Sequence, residues 1–447
     1  MTNDQPGLLA RLMRSASKIE PNELRSVFVA FMFAFFLMAA WYILRPVRDA
    51  MASDWTDTEV AILWNLNFWV SAVVVALYGF AVSHISFRAL VPGVYAFFAT
   101  SFVLFYFAAI GGGSLEILYV PIFDVTLNVD QVFYVWVSTF SLFHISVFWS
   151  FMSDLYTKEQ SNRLFAFIAV GASVGGIVGP SIPAFFAVEL GNDVLMLIAA
   201  VVLVIPIFLV LYLERLKVGE LKNENVHADL TAAKIGGNPF AGFKMFFTNP
   251  YLLAIGAFIF LYTTIGSFVY FEQKNLLVDF TREERTEILG VIDLVVNVLT
   301  IGIGMFATSR IVTRFGMATT LALVPVFIVA GLAILAFAPV LTIALALQIT
   351  RRAGNYAITR PAREMLFTAV DRETRFKAKP VIDIVAYRGG DAVSSALFAT
   401  LTDGFGLALG TMAAIGAFIG IGWAALGRYL GKIFQRVGGG IDSAAER

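Results

Sequence analysis

Apolar residues recur along the chain in stretches of about twenty, the length that a bilayer core asks of a helix. In the first half they cover 24–44, 60–82, 89–110, 130–152, 164–187 and 194–213. In the second half they cover 250–271, 288–308, 317–337, 339–358, 380–400 and 407–429. This pattern predicts an all-α membrane protein of twelve transmembrane helices. The pair at 317–358 is nearly continuous, and Ala338-Pro339 is read as its turn. The longest polar segment, 215–249, carries Glu214, Arg215, Lys217, Glu220 and Lys222 at its start and Gly236-Gly237-Asn238-Pro239 further on. It reads as a linker between a six-helix bundle over 24–214 and a second over 250–430, with a short surface helix expected between Gly242 and Thr248. Polar segments over 1–23 and 431–447 flank the bundles. The first apolar run is too long for a signal-peptide core and lacks a small-residue cleavage site, so it is expected to stay as the first span.

Composition strengthens this picture. Of 447 residues 59% are hydrophobic and 14% charged, with a mean hydropathy of +0.79. Soluble domains carry roughly 25% charged residues, so this surface must face lipid. The 43 Phe and 36 Gly agree, since Phe fills lipid-facing surface and Gly lets membrane helices approach closely. There is no cysteine, which excludes disulfides and thiolate chemistry. No clustered basic face suggests nucleic acid.

The net charge of zero hides an asymmetry between loops. With the N-terminus inside, the cytoplasmic segments hold Arg11, Arg14, Lys18, Arg88, Lys158, Arg163, Lys217, Lys222, Arg310, Arg314, Arg372, Arg375, Lys377, Lys379 and Lys432. The outer side keeps Arg45, Arg48, Lys274, Arg282 and Arg285. The positive-inside rule then puts both termini in the cytoplasm, and an even number of spans agrees.

Signatures of soluble enzymes are missing: there is no phosphate loop, HExxH, GxSxG or dinucleotide fingerprint. The three histidines, His84, His144 and His227, are scattered. No metal, cofactor or catalytic residue is expected. What remains is charge at membrane depth. Arg45-Pro46-Val47-Arg48-Asp49 ends the first span, and Arg360-Pro361-Ala362-Arg363-Glu364 follows the tenth. Both read R-P-x-R-[D/E]. With inverted repeats their ends lie on opposite faces, as a pair of alternating gates requires. Alternatively such arginines snorkel to headgroups.

In the tenth span Arg351, Arg352, Asn355 and Tyr356 interrupt an apolar helix, and Arg352, Tyr356, Thr359 and Arg363 recur at helical spacing. Arginines inside a membrane need water, a carboxylate or an anion. A guanidinium fork suits phosphate or carboxylate, so Arg351, Arg352, Asn355 and Tyr356 are the candidate anion-binding set. The alternative is a network with Asp383 or Asp391. In the eleventh span Lys379 can pair with Asp383, and Arg388 with Asp391. Asp293 in the eighth span has no local partner; it either carries a coupling proton or pairs with an arginine of another helix. His144 titrates near neutral pH if solvated and otherwise packs as a core residue. Gly171, Gly175 and Gly179 share one face of the fifth span, on which another helix can pack backbone to backbone, and Pro180 removes a hydrogen bond; such a face serves sliding or rocking and equally a rigid close contact.

The Gly175-x-x-x-Gly179-Pro180 run resembles the antiporter motif of the major facilitator superfamily, and Ser309-Arg310-Ile311-Val312-Thr313-Arg314-Phe315-Gly316 resembles its basic cytoplasmic loop. The counterpart Ser83-His84-Ile85-Ser86-Phe87-Arg88 is degraded. Trp41-Tyr42-Ile43-Leu44-Arg45-Pro46-Val47-Arg48-Asp49, Val147-Phe148-Trp149-Ser150-Phe151-Met152-Ser153-Asp154-Leu155-Tyr156, Lys377-Ala378-Lys379-Pro380-Val381-Ile382-Asp383 and Tyr387-Arg388-Gly389-Gly390-Asp391 together resemble the bacterial and plastid ATP/ADP translocase group. That resemblance implies the major facilitator fold and exchange of nucleotides, typically ATP for ADP. The protein is expected as a monomer in a bacterial inner membrane, with a small anionic solute (ATP, ADP or another phosphorylated metabolite) and lipid as its partners. A proton-coupled carrier of a different solute, and a non-transporting scaffold or receptor, are the other readings.

Overall fold

The computed structural model describes residues 19–110, 112–221, 241–370, 378–379 and 381–445. Most of the expected N-terminal segment, most of the linker, the end of the tail and Lys377 lie outside the described residues, as does the side chain of Asp383.

The spans form where the apolar stretches fall, and most extend a turn or more beyond them. In order they are Leu24–Met51, Asp57–His84, Phe87–Ile110, Val129–Leu155, Lys158–Leu190 and Asn192–Leu216. A short helix at Ala241–Thr248 matches the one expected there, and Pro250–Leu276, Arg282–Phe306 and Thr308–Phe337 follow. Among the described residues, ten helices are long and apolar enough to cross a membrane. The tenth and eleventh spans cross as broken helices. The tenth runs Leu341–Gly354 and passes through a π-turn at Asn355–Thr359; beyond its apolar stretch the chain continues as the helix Arg360–Leu366. The eleventh has π-turns at Asp383–Arg388 and Thr400–Gly404 around Gly389–Ala399. The twelfth spans Leu409–Ala445.

Local chemistry sets several boundaries. Asn128 and Gln131 cap the fourth span reciprocally, and Thr157 with Gln160 does the same for the fifth. Each pair satisfies two orphan amides. Asn249 accepts from the amides of Tyr251 and Leu252 with Pro250 in the first turn. Two features escaped the sequence pattern. An antiparallel hairpin, β1 Glu116–Val120 and β2 Val125–Asn128, joins the third and fourth spans. The basic segment before Gly316 is helical rather than a loop, and the break falls on Gly316, whose φ of 74° suits a residue without Cβ.

Large apolar side chains cover the outside: Phe107 is 64% exposed, Phe208 66%, Phe418 79% and Phe337 93%. Water would make such a surface costly, and a bilayer makes it ordinary.

The chain forms two compact units. Unit 1 comprises Met1–Met51, Trp69–Ile235 and Arg282–Leu294; unit 2 comprises Ala52–Phe68, Gly236–Thr281 and Val295–Arg447. The first half thus takes in the start of the eighth span, and the second half the start of the second. Unit 1 is organised on its first span, where Val27, Ala30, Phe33, Ala34, Leu37, Ala40, Leu44 and Val47 are fully buried. The predicted glycine face of the fifth span meets it. A Cβ on Gly171 or Gly175 would run into the carbonyl oxygen of Phe31 or Phe35, and one on Gly179 would lie 2.7 Å from that of Ala39. Both partners repeat at i, i+4 and i+8, so the helices touch backbone to backbone at three rungs. Unit 2 has its own close contact, with Gly427 of the twelfth span against the Leu321 carbonyl and Gly410 against that of Ala336. Ile255, Phe258, Leu321, Ile328, Leu332 and Trp423 fill its core.

Candidate functional site

The arginines at the end of the first span sit in unit 1 among fixed acids. Arg45 lies 3.6 Å from Asp49, one turn on, and 3.3 Å from Asp293 of the eighth span. Asp293 is thus one member of an interhelix ion pair and is only 2% exposed. Arg48 donates to Asp49 at 2.9 Å and to the Ser138 hydroxyl at 3.2 Å. Its guanidinium stands over the rings of Trp41 and Tyr134 at 5.6 and 5.4 Å. Cation–π contact with two rings and ion pairing at the edge use the whole planar group. His144 stacks on Trp41 at 5.2 Å, and one ring nitrogen lies 3.3 Å from the Phe140 carbonyl of its own helix. That is the environment of a packed core histidine.

The second set belongs to unit 2. Arg351 donates twice to the Gln348 amide oxygen, at 3.0 and 2.7 Å, and once to the Tyr262 hydroxyl at 3.4 Å. It also lies over the Tyr262 ring at 5.9 Å. Arg352 and Asn355 are buried, and Tyr356 is half-buried. Asp391 of the eleventh span stands within electrostatic range of Arg388 and Arg351. Arg363 donates to the Tyr387 hydroxyl and, at 3.0 Å, to Glu364. Glu364 also takes Lys379, which therefore bridges two segments. Glu364 lies past the apolar stretch of the tenth span. Burial there works against its charge, yet Lys379 and Arg363 hold its carboxyl below the ordinary glutamate value. Arg360 faces outward and is exposed.

The π-turn explains how these side chains are arrayed. It inserts one residue into the helix, so everything after it turns by about 100° relative to an unbroken helix. Arg351 and Arg352 precede the turn, while Thr359 and Arg363 lie at its end and beyond. The helical face that the spacing predicted is therefore stepped, although Arg352, Thr359 and Arg363 all remain buried.

Sequence reasoning passed over a third group. Asp57, which opens the second span, accepts from Lys274 at 2.6 Å, from Asn275 at 3.1 Å and from the Thr402 hydroxyl at 2.7 Å, all within unit 2. Both ions are 3% exposed. Beside them, Glu272 is fully buried, and neither carboxyl oxygen has a hydrogen-bond partner among the described residues. Asp57 and Glu272 lie outside every motif, and only burial draws attention to them. Lys274, counted as a loop charge, is in fact a buried ion. In unit 1, Arg163 likewise binds Glu23 at 2.8 Å, and Lys217 binds Asp154 at 2.7 Å. Among the described residues, no cluster of His, Asp or Glu suits a metal ion.

Comparison with known proteins agrees with this architecture. The family model described as Major Facilitator Superfamily matches residues 29–362. Solved structures share the fold at low identity. A bacterial homologue of the human lysosomal transporter Spinster is 14% identical, with 94% of this chain and 98% of that one covered at a TM-score of 0.57. For the nucleoside transporter NupG the values are 13%, 94%, 99% and 0.57. A bacterial homologue of the iron transporter ferroportin gives 11%, 91%, 99% and 0.61. No curated protein matches the chain.

Proposed function

Since the chain belongs to the major facilitator superfamily, and so is a secondary transporter of the membrane, we propose that it carries a small organic anion by alternating access, exchanging one phosphorylated solute for another. Arg351 and Arg352, with Asn355 and Tyr356, bind the anion. Arg45, Arg48 and Asp49, and Arg363 with Glu364, serve the two gates, with Asp383, Arg388 and Asp391 as neighbouring charges. The protein works as a monomer in a bacterial inner membrane with both termini in the cytoplasm.

The observation that carries this reading is the polar run that the tenth span brings to its π-turn, where Arg351 is oriented by Gln348 and Tyr262 and the adjoining Arg352 and Asn355 are buried. A guanidinium fork oriented in this way suits an incoming phosphate or carboxylate. Nucleotides are the first candidates, because the sequence resembles the ATP/ADP translocase group.

Protein reconstituted in vesicles preloaded with ADP is expected to take up labelled ATP or ADP. Arg352→Ala and Arg351→Gln are expected to reduce uptake by roughly 100-fold, the loss of about 3 kcal/mol that a charge-assisted contact represents, while the protein stays folded. Undiminished exchange by both variants would remove the arginine assignment. Glu272 favours a second reading, a carrier coupled to protons, since it is a buried carboxyl with no donor among the described residues, and burial opposes its charge. Uptake driven by a pH gradient into vesicles without counter-substrate would select that reading.

A further inference from the structure

A cavity of about 510 Å³ opens on the flank of unit 1, between the third span, the fourth span and the hairpin that joins them. Ser101, Leu104, Phe105, Leu115, Ile117 and Trp136 are among the residues that line it. Its chemistry is one-sided. The two polar side chains in the wall satisfy each other, because Trp136 Nε1 donates to Ser101 Oγ at 2.7 Å and Ser101 donates to the Phe98 carbonyl at 2.7 Å. A ligand entering here meets no side-chain proton left to donate. Water gains too little to stay in such a space, and an apolar occupant loses nothing.

Position narrows the occupant. Leu104 and Leu115 are each 64% exposed, so the outer lip is continuous with the lipid-facing flank on which Phe107 and Ile110 also stand. The hairpin carries Ile117, Leu118, Tyr119 and Ile122 as exposed side chains, Ile122 at 85%. A two-stranded ribbon with this much bare apolar surface belongs at the boundary of headgroups and acyl chains, where a tyrosine is also at home. The volume falls within the range of pockets that hold small ligands.

We propose that this cavity is a binding site for one acyl chain of a membrane phospholipid, roofed by the β1–β2 hairpin and floored by Trp136. The lipid is a bound component of unit 1 rather than exchanging solvent. Its headgroup lies level with the hairpin, and no polar side chain of the cavity selects it.

The test uses detergent-purified full-length protein and a phosphatidylcholine brominated on one acyl chain, with tryptophan fluorescence as the readout. At low lipid ratios part of the emission is expected to be quenched saturably, and Trp136→Phe is expected to lack that part. Ala108→Phe, which places a ring in the cavity, is expected to weaken saturable quenching by about tenfold, the equivalent of two buried methylenes. It should also remove one retained phospholipid from the intact-protein mass spectrum. Leu104→Phe, at the lip, provides a second filled variant, and circular dichroism reports whether each variant is folded. Quenching unchanged in both folded filled variants overturns the site. Retention of a brominated alkane but no phospholipid also overturns it, by making the occupant a free apolar molecule.

Discussion

The same five-residue pattern, R-P-x-R-[D/E], occurs once in each unit, and the two copies live in different surroundings. In the first, Arg45 and Arg48 share Asp49, and Asp293 completes the set. This copy ends an uninterrupted helix seated on the glycine ladder of the fifth span. In the second, Arg363 and Lys379 share Glu364 while Arg360 faces outward. That copy follows a π-turn, on a helix restarted only at Arg360. Similar charges therefore make a half-buried network on a close-packed platform in one unit and a more open one beside a π-turn in the other. The backbone beneath a motif decides what its arginines do.

The platform is where this contrast breaks most easily. Gly175→Leu would drive a side chain into the Phe35 carbonyl, and the backbones cannot separate without losing the neighbouring rungs. Loss of folded, monodisperse protein on size-exclusion chromatography is the expected outcome. Gly389 of the eleventh span, close in sequence to the Tyr387 that meets the second copy, gives the control. A methyl group added there would find nothing within 4 Å, so Gly389→Ala is expected to purify normally.

The counter-charges rank next. Asp49→Asn removes the acid that both Arg45 and Arg48 contact, and uncovering these half-buried cations costs about 2 kcal/mol, less than for a fully buried pair because Arg45 keeps Asp293. A melting temperature in detergent several degrees below wild type is expected. Glu364→Gln is expected to cost about 1 kcal/mol or less, because Glu364 is 37% exposed and solvent screens its pairs. Equal losses for the two variants would erase the distinction between the copies.

Acidity sharpens the same point. The folded carboxyl of Glu364 is held below its ordinary value by Lys379 and Arg363 against the opposing effect of burial. An unfolded glutamate titrates near about 4.3, so the contribution is complete above that pH and is lost as pH falls through the lower folded value. The stability difference between wild type and Glu364→Gln should accordingly shrink on acidification below about pH 4. The smallest effect belongs to Arg360→Ala, where an exposed side chain predicts a change within about 0.5 kcal/mol.

Much of the fold was legible because hydrocarbon thickness imposes a length that composition reveals directly. The glycine face at Gly171, Gly175 and Gly179 could likewise be read, since only backbone contact rewards that spacing. The hairpin could not, because a short ribbon between two spans carries too few residues to stand out from apolar neighbours. Nor could the π-turns: Asn355–Thr359 and Asp383–Arg388 differ from α-helix by one hydrogen-bond step, and no residue type marks that step. The candidate site was legible as a set of charges but not as a set of pairs. Lys379 meets Glu364 across segments, a pairing that depends on where the tenth and eleventh spans meet. Lys274 looked like a loop charge, and Asp57 stood in no motif, until burial singled both out.

A wide turn holds one surplus residue. The tenth span thereby aims the side chains before and after Asn355–Thr359 in directions that one unbroken helix could not combine, about a quarter of a revolution apart from their α-helical bearing.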